Sequence, residues 1–350
     1  MNYSSMIVSP LSRKKKKSDG GNIYFTIAAS FFYACFVVFF PWEIIRRDRL
    51  GEEWIDYTWY VDYFNSNTLS LIEQRDWTSI TEFFSGEVLW DLFVLRATEI
   101  TGDATIALRI ISFFICLIWS LFLFRKMPIY WALTFLLNPI SITMAMDVIR
   151  NGFAWSLIIL SLMLTQKWLQ PLKFLVCVAT PFIHSNSAAL LLLVFNPAIR
   201  LFQADNKFKV ILSSILPGVA VGLFMTVFSS SVLSSIGDRR ADDMVGVKSG
   251  SYTQMIFWVI LFIIQLSCST SYIKNNSLTI NILAWYLTMN LSIHWSYRLW
   301  SATIPLMACA IWEMPTDKRD MVLLLWLGYF FLLYIYWTPM LDWLNIGNPN

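Results

Sequence analysis

Charge is scarce in this chain. Only 14% of its 350 residues are Asp, Glu, Lys or Arg, against about 25% in an ordinary soluble domain. The deficit is uneven: charges gather between long apolar runs, 57% of the residues are hydrophobic and the mean hydropathy is +0.57. Each run therefore needs a solvent that does not hydrate it. Strict apolar–polar alternation is also missing, which excludes a membrane barrel. Helices remain, because they satisfy their own backbone hydrogen bonds in hydrocarbon. The net charge of +3 is too small to indicate a nucleic-acid partner. The five cysteines, Cys35, Cys116, Cys177, Cys268 and Cys309, have neither metal-ligand nor redox spacing. There is no Gly-rich phosphate loop, no aspartate-x-aspartate metal motif near the first outer turn, and no internal repeat of the inverted-transporter kind. We expect no metal and no cofactor.

The apolar runs predict an all-α polytopic bundle of about eleven spans, each matched to a core about 30 Å thick. They fall at 23–41, 104–124, 128–146, 151–166, 171–184, 186–199, 208–228, 252–273, 278–295, 299–312 and 321–339. Residues 1–22 form a basic cytoplasmic N-terminus, 23–339 a single transmembrane domain, and 340–350 a tail. The run Ile23–Phe40 follows Arg13–Lys17 and lacks a small-x-small cleavage site, so it reads as an uncleaved signal anchor. With the N-terminus inside, nearly every cytoplasmic turn is basic, as at Arg125, Lys126, Lys207, Lys274 and Lys318. The outer segment 43–103 is acidic, with Asp56, Glu87 and Asp91 among its carboxylates, and is too long to lack structure. Its part from Phe83 to Ile100 suits a helix in the interface or over the bundle mouth. A second outer loop covers 229–251. The expected location is the cytoplasmic membrane of a bacterium.

On this topology, several cationic or titratable residues share the outer face: Arg150, His184, Arg239, Arg240, His294 and Arg298. Positive charge is disfavoured in short outer turns, so Arg150 and Arg298 need another reason to be there. One is pairing with an acid, such as Asp147 for Arg150, or snorkelling to headgroups. The other is an anion site, since a planar guanidinium matches phosphate oxygens and keeps its proton. The chain has two histidines. His184 follows Pro181 and precedes Ser185-Asn186-Ser187, a helix-ending context, and an imidazole suits a general base near neutral pH. His294, beside Trp295 and Tyr297, reads as a sugar-stacking or packing residue. Trp54, Tyr57, Trp59, Tyr60, Tyr63 and Trp77 crowd the first outer segment. They fit sugar contact or an interfacial aromatic belt.

Three stretches resemble the EpsG-like branch of the Wzy polysaccharide polymerases. They are Asp56-Tyr57-Thr58-Trp59-Tyr60 with Phe64, then Ile149-Arg150-Asn151-Gly152-Phe153-Ala154, then Ala179-Thr180-Pro181-Phe182-Ile183-His184-Ser185. Tyr297-Arg298 resembles that family's late arginine turn. Asn151, where a glutamine is usual, and Phe153 depart from the pattern. The resemblance implies a metal-independent membrane glycosyltransferase of GT-C-like architecture, related to O-antigen ligases. It would join undecaprenyl-pyrophosphate-linked oligosaccharide repeat units at the outer leaflet, with a chain-length regulator as a further partner. In that reading Arg150, Arg298, Arg239 and Arg240 hold pyrophosphate, and His184 is the base, with Asp56 and Glu87 as alternatives. Tyr60, His294 and Tyr297 contact the substrate. The alternatives are an O-antigen ligase, a polyprenyl-phosphate glycosyltransferase, a lipid-linked oligosaccharide flippase or other transporter, and an acyltransferase of surface sugars.

Overall fold

The computed structural model describes residues 23–45, 54–67, 87–164, 166–184, 187, 191, 193, 206–235, 252–290 and 301–337. Among them 88% are helical and none is in a strand. The helices are α1 (Ile23–Phe39), α2 (Trp42–Ile45), α3 (Ile55–Ser66), α4 (Val88–Thr101), α5 (Ala104–Phe124), α6 (Ile129–Leu136), α7 (Pro139–Met146) and α8 (Ile149–Met163). They continue as α9 (Gln170–Ala179), α10 (Lys207–Ser235), α11 (Tyr252–Ser267), α12 (Thr270–Asn275), α13 (Ser277–Asn290), α14 (Ile304–Trp312) and α15 (Thr316–Trp337). The expected residues His294, Tyr297, Arg298, Arg239 and Arg240 lie outside the described residues, as do most of the run 186–199 and the tip of the second outer loop.

Two described helices are long and apolar enough to cross a membrane, Ala104–Phe124 and Lys207–Thr226. The run expected as one span at 128–146 is instead α6 and α7, bent by 65°. The cause is Asn138-Pro139. A residue before proline is pushed out of the helical region, and Asn138 is extended there (φ −63°, ψ 137°) while its side chain accepts the Ile140 N–H at 2.9 Å. Counted as one broken span, this pair makes three. The apolar helices Ile23–Phe39, Ile149–Met163 and Met255–Ser267 are shorter, and α15, at 22 residues, opens on the charged stretch 317–320. At 1.5 Å per residue α8 reaches only about 22 Å, short of a hydrocarbon core.

α5 is the central post. α1 lies along it, with Phe31 against Phe113 at 5.5 Å, and the start of α8 packs on its other side, with Phe153 against Phe114 at 5.7 Å. A second close pair is α10 with α13. There Gly218 and Gly222, spaced four apart, let the backbones meet, since a Cβ on Gly218 would overlap the Asn281 carbonyl. Small residues at this spacing are how membrane helices approach closely. Pro217 lies inside α10, and the next N–H, from Gly218, donates to Asn281 Oδ1 at 3.1 Å.

The turns sort to two ends. At one, Lys318 Nζ donates to the Ser267 carbonyl at 2.8 Å and Asn276 Nδ2 donates to Glu313 Oε2 at 3.2 Å. Lys126 lies close enough to bias Glu313 electrostatically. At the other end, Asn65 Oδ1 accepts the Ala104 N–H at 3.0 Å, which ties α3 to the start of α5. Between α4 and α5 the chain reverses at Gly102, whose φ of 76° suits glycine. Asp103 then caps α5 through the Thr105 N–H at 2.7 Å.

Candidate functional site

The second end holds the site. α8 begins directly after α7, and the two stay close because Gly152 sits against the Met144 carbonyl, where a Cβ would overlap it. That contact fixes the first turn of α8, and with it Arg150. Asn151 is fully buried, its Nδ2 3.8 Å from Met144 Sδ. Phe153, a departure from the resembled pattern, fills a space between Trp90, Phe93 and Phe114, stacking on Phe93 at 5.1 Å. Tyr60 and Phe64 meet Trp90 edge-on, at 5.7 and 6.4 Å. These aromatic contacts join α3, α4, α5 and α8 beneath the polar groups.

Glu87 is the hub. It is 2% exposed, precedes α4, and lies in the left-handed region with φ 49°. No other described non-glycine residue has positive φ. Such a conformation costs on the order of 1–3 kcal/mol and persists where its surroundings impose it. Here the turn lets the Glu87 carbonyl accept the Trp90 N–H at 2.9 Å, opening α4, while the carboxylate turns to two partners. Oε2 forms an ion pair with Arg150 Nη1, and Oε1 lies 2.9 Å from His184 Nδ1. A carboxylate at Nδ1 favours the tautomer with the proton there, leaving Nε2 as the acceptor nitrogen. His184 is itself placed by the 3₁₀ turn Thr180–Phe182, its N–H donating to the Thr180 carbonyl at 2.9 Å.

Arg150 is partly open, its side chain 24% exposed against 3% for Glu87. Its guanidinium carbon lies 5.8 Å from the centroid of the Tyr60 ring. Tyr60 is buried, so it serves here as the floor under Arg150. The exposed ring of α3 is Trp59, stacked on Tyr63 at 5.1 Å. Asp147, considered above as a partner for Arg150, accepts the backbone N–H groups of Asp56 and Tyr57 at 3.0 and 3.3 Å. It caps α3 from another part of the chain, favouring the helix's positive end. Asp56 shares a face of α3 with Tyr60, one turn on.

The structure thus brings Glu87, Arg150 and His184 into contact and sets Asp56 and Tyr60 on the adjoining helix. Asp147, weighed from the sequence as a partner for Arg150, here caps α3. One charged residue of this end was not singled out from the sequence. Arg109 lies hidden within the apolar run of α5; its signal was a lone charge in a predicted span. Among the described residues no group of three or more His, Cys, Asp or Glu side chains is placed to hold a metal ion. In chemical terms the site offers an imidazole oriented by a buried carboxylate and a guanidinium with part of its surface open.

A family model, that of the EpsG family, matches residues 31–345. No curated protein and no solved structure matches the chain.

Proposed function

We propose a reaction and a site for this chain, which belongs to the EpsG family of Wzy-like polysaccharide polymerases. The chain joins oligosaccharide repeat units carried on undecaprenyl pyrophosphate, at the outer face of the cytoplasmic membrane. The observation that carries the site is one buried carboxylate, that of Glu87, touching both His184 and Arg150.

The chemistry follows from those groups. The acceptor hydroxyl attacks the anomeric carbon of the donor, and its proton passes to His184 Nε2. Glu87 holds the ring and stabilises the imidazolium that forms. As the bond from the anomeric carbon to the pyrophosphate oxygen breaks, charge grows on that oxygen. Arg150, assisted by Arg298, Arg239 or Arg240, stabilises it. The leaving group is a phosphate ester, so fixed cationic charge does the work a metal would otherwise do. Loss of one such donor costs about 3 kcal/mol, roughly a hundredfold in rate. Asp56 stands as the alternative base. An O-antigen ligase would use the same donor chemistry and differ in acceptor.

The test is polymer ladder formation in a strain lacking the protein. It is complemented with wild type, Arg150→Ala, His184→Ala, Glu87→Ala or Arg298→Ala at matched membrane levels. Wild type restores the ladder and each variant leaves single repeat units. Normal ladders from the first three variants would remove this site. A ligase would show unchanged lipid-linked chains that fail to reach their final acceptor.

A further inference from the structure

One charged group of the outer end has no part in the site above. Arg109 lies on the second turn of α5, in a helix otherwise apolar enough to cross a membrane. Among the described residues its guanidinium makes no hydrogen bond or ion pair. Ile106 and Ile110, three residues before and one after it, are exposed, as is Phe39 at the end of α1. That face is the one hydrocarbon would cover. A charged residue on it demands a reason, since an arginine in a span is costly unless it meets an interface or a ligand.

Beside it is a cavity of about 170 Å³ lined by Arg109, Trp54, Tyr57, Phe40, Pro41 and Met146. Its size decides the class of ligand. Pockets for drug-sized molecules run from about 300 Å³ upward, so an oligosaccharide does not fit. A volume equal to five or six waters at about 30 Å³ each holds a headgroup fragment. The one cation, the aromatic rim and the apolar outer wall suit a phosphate whose chain lies in the bilayer.

The geometry points to a second lipid-phosphate site here, taking the phosphate of a polyprenyl-linked substrate whose chain lies along α1 and α5. This rests on the polymerase reading for one step: joining two lipid-carried units requires two lipid phosphates, and Arg150 serves one of them. α3 connects the two, with Tyr57 on the cavity and Tyr60 under Arg150.

The experiment is native mass spectrometry of the purified full-length protein in detergent. It uses an Arg150→Gln background, so that the first arginine does not contribute. The probes are undecaprenyl phosphate, undecaprenol and phosphatidylglycerol. The second variants are Arg109→Gln, which removes the charge, and Met146→Trp, which fills the cavity and keeps it. Thermal melts confirm that both still fold. We expect each to weaken undecaprenyl phosphate at least tenfold and to leave undecaprenol unchanged. Unchanged undecaprenyl phosphate binding in Arg109→Gln overturns the site. Equal affinity for phosphatidylglycerol, lost equally with Arg109, makes it a bulk-lipid headgroup contact and overturns the substrate assignment. The binding is read directly, so a failure of wild type to form polymer would sink the polymerase reading and leave this result distinct.

Discussion

Two glutamates, at opposite ends of the bundle, show how differently the same side chain is used. Glu87 is buried, holds a backbone conformation that non-glycine residues seldom adopt, and touches a guanidinium and an imidazole. Glu313 sits in an ordinary right-handed turn after α14, exposed as a residue, and accepts one hydrogen bond from Asn276. At the Glu313 end the polar contacts tie turns together: Lys318 to Ser267, Asn276 to Glu313. At the Glu87 end they converge on a point reached from three separate stretches of chain. The first pattern is what a membrane bundle needs to close its turns. The second stores strain and dry charge, which stability alone does not require, and such arrangements cluster at sites of chemistry.

The sharpest way to break the comparison is to neutralise Glu87. Glu87→Gln keeps the shape and leaves Arg150 and His184 without their shared anion. Breaking a buried pair from one side costs about 3–5 kcal/mol. We expect a marked fall in the thermal midpoint of the purified protein together with loss of the polymer ladder. Adding Arg150→Met to Glu87→Gln removes the stranded cation. The midpoint then recovers in part while the ladder stays absent. A ladder that returned with the midpoint would reduce the Glu87 contact to packing.

A smaller effect separates position from stability. Gly152→Ala and Gly218→Ala each force a Cβ onto a backbone carbonyl, that of Met144 or that of Asn281. Overpacking of this kind costs typically 1–3 kcal/mol, so both should lower the midpoint comparably. Only Gly152 lies two residues from Arg150, on the turn that aims it. At matched membrane levels, Gly152→Ala should shorten or abolish the ladder and Gly218→Ala should leave its pattern near wild type. Equal losses of polymer would mean that the α7–α8 contact has no special role in aiming Arg150.

The sequence was most legible where a single physical rule governs. The long apolar run placed α5 at 104–124, the bounds it has. Hydropathy alone merged α6 with α7, because Asn138-Pro139 bends the chain without adding charge. The order of motifs named Glu87, Arg150 and His184 separately, as base or anion holder. Their contact was not legible, since it depends on the left-handed turn at Glu87 and on the close approach of α7 to α8. Tyr60 was readable as aromatic but not as buried under a guanidinium. Gly218 and Gly222 carried a plain spacing signal for the α10–α13 contact. Arg109 was masked by the strength of the apolar signal around it. Of the expected crossings, the described residues supply two long apolar helices and one bent pair, with three shorter apolar helices and the charge-led α15 besides.

The smallest effect belongs to Glu313. Partial burial of its carboxyl pushes its pKa up, against the opposing hydrogen bond from Asn276 and the nearby Lys126. A carboxyl whose folded pKa lies above its unfolded value favours the folded state when protonated. That contribution is fully present below the unfolded value, about 4.3, and is lost as pH rises through the folded one. Once ionised, Glu313 is therefore a slight liability, and Glu313→Gln, which keeps an acceptor for Asn276, should raise the thermal midpoint a little. The residue is exposed and its carboxyl only partly buried, so solvent screening keeps the gain below about 1 kcal/mol. Melts of wild type and variant from pH 4 to pH 8 should start together and separate upward, the variant becoming the more stable. A wild type that gained on the variant as pH rose would mean that the ionised carboxylate is held by Lys126 more strongly than burial opposes it. The Glu313 end would then contain a true ion pair, and its contrast with Glu87 would narrow to a difference in burial alone.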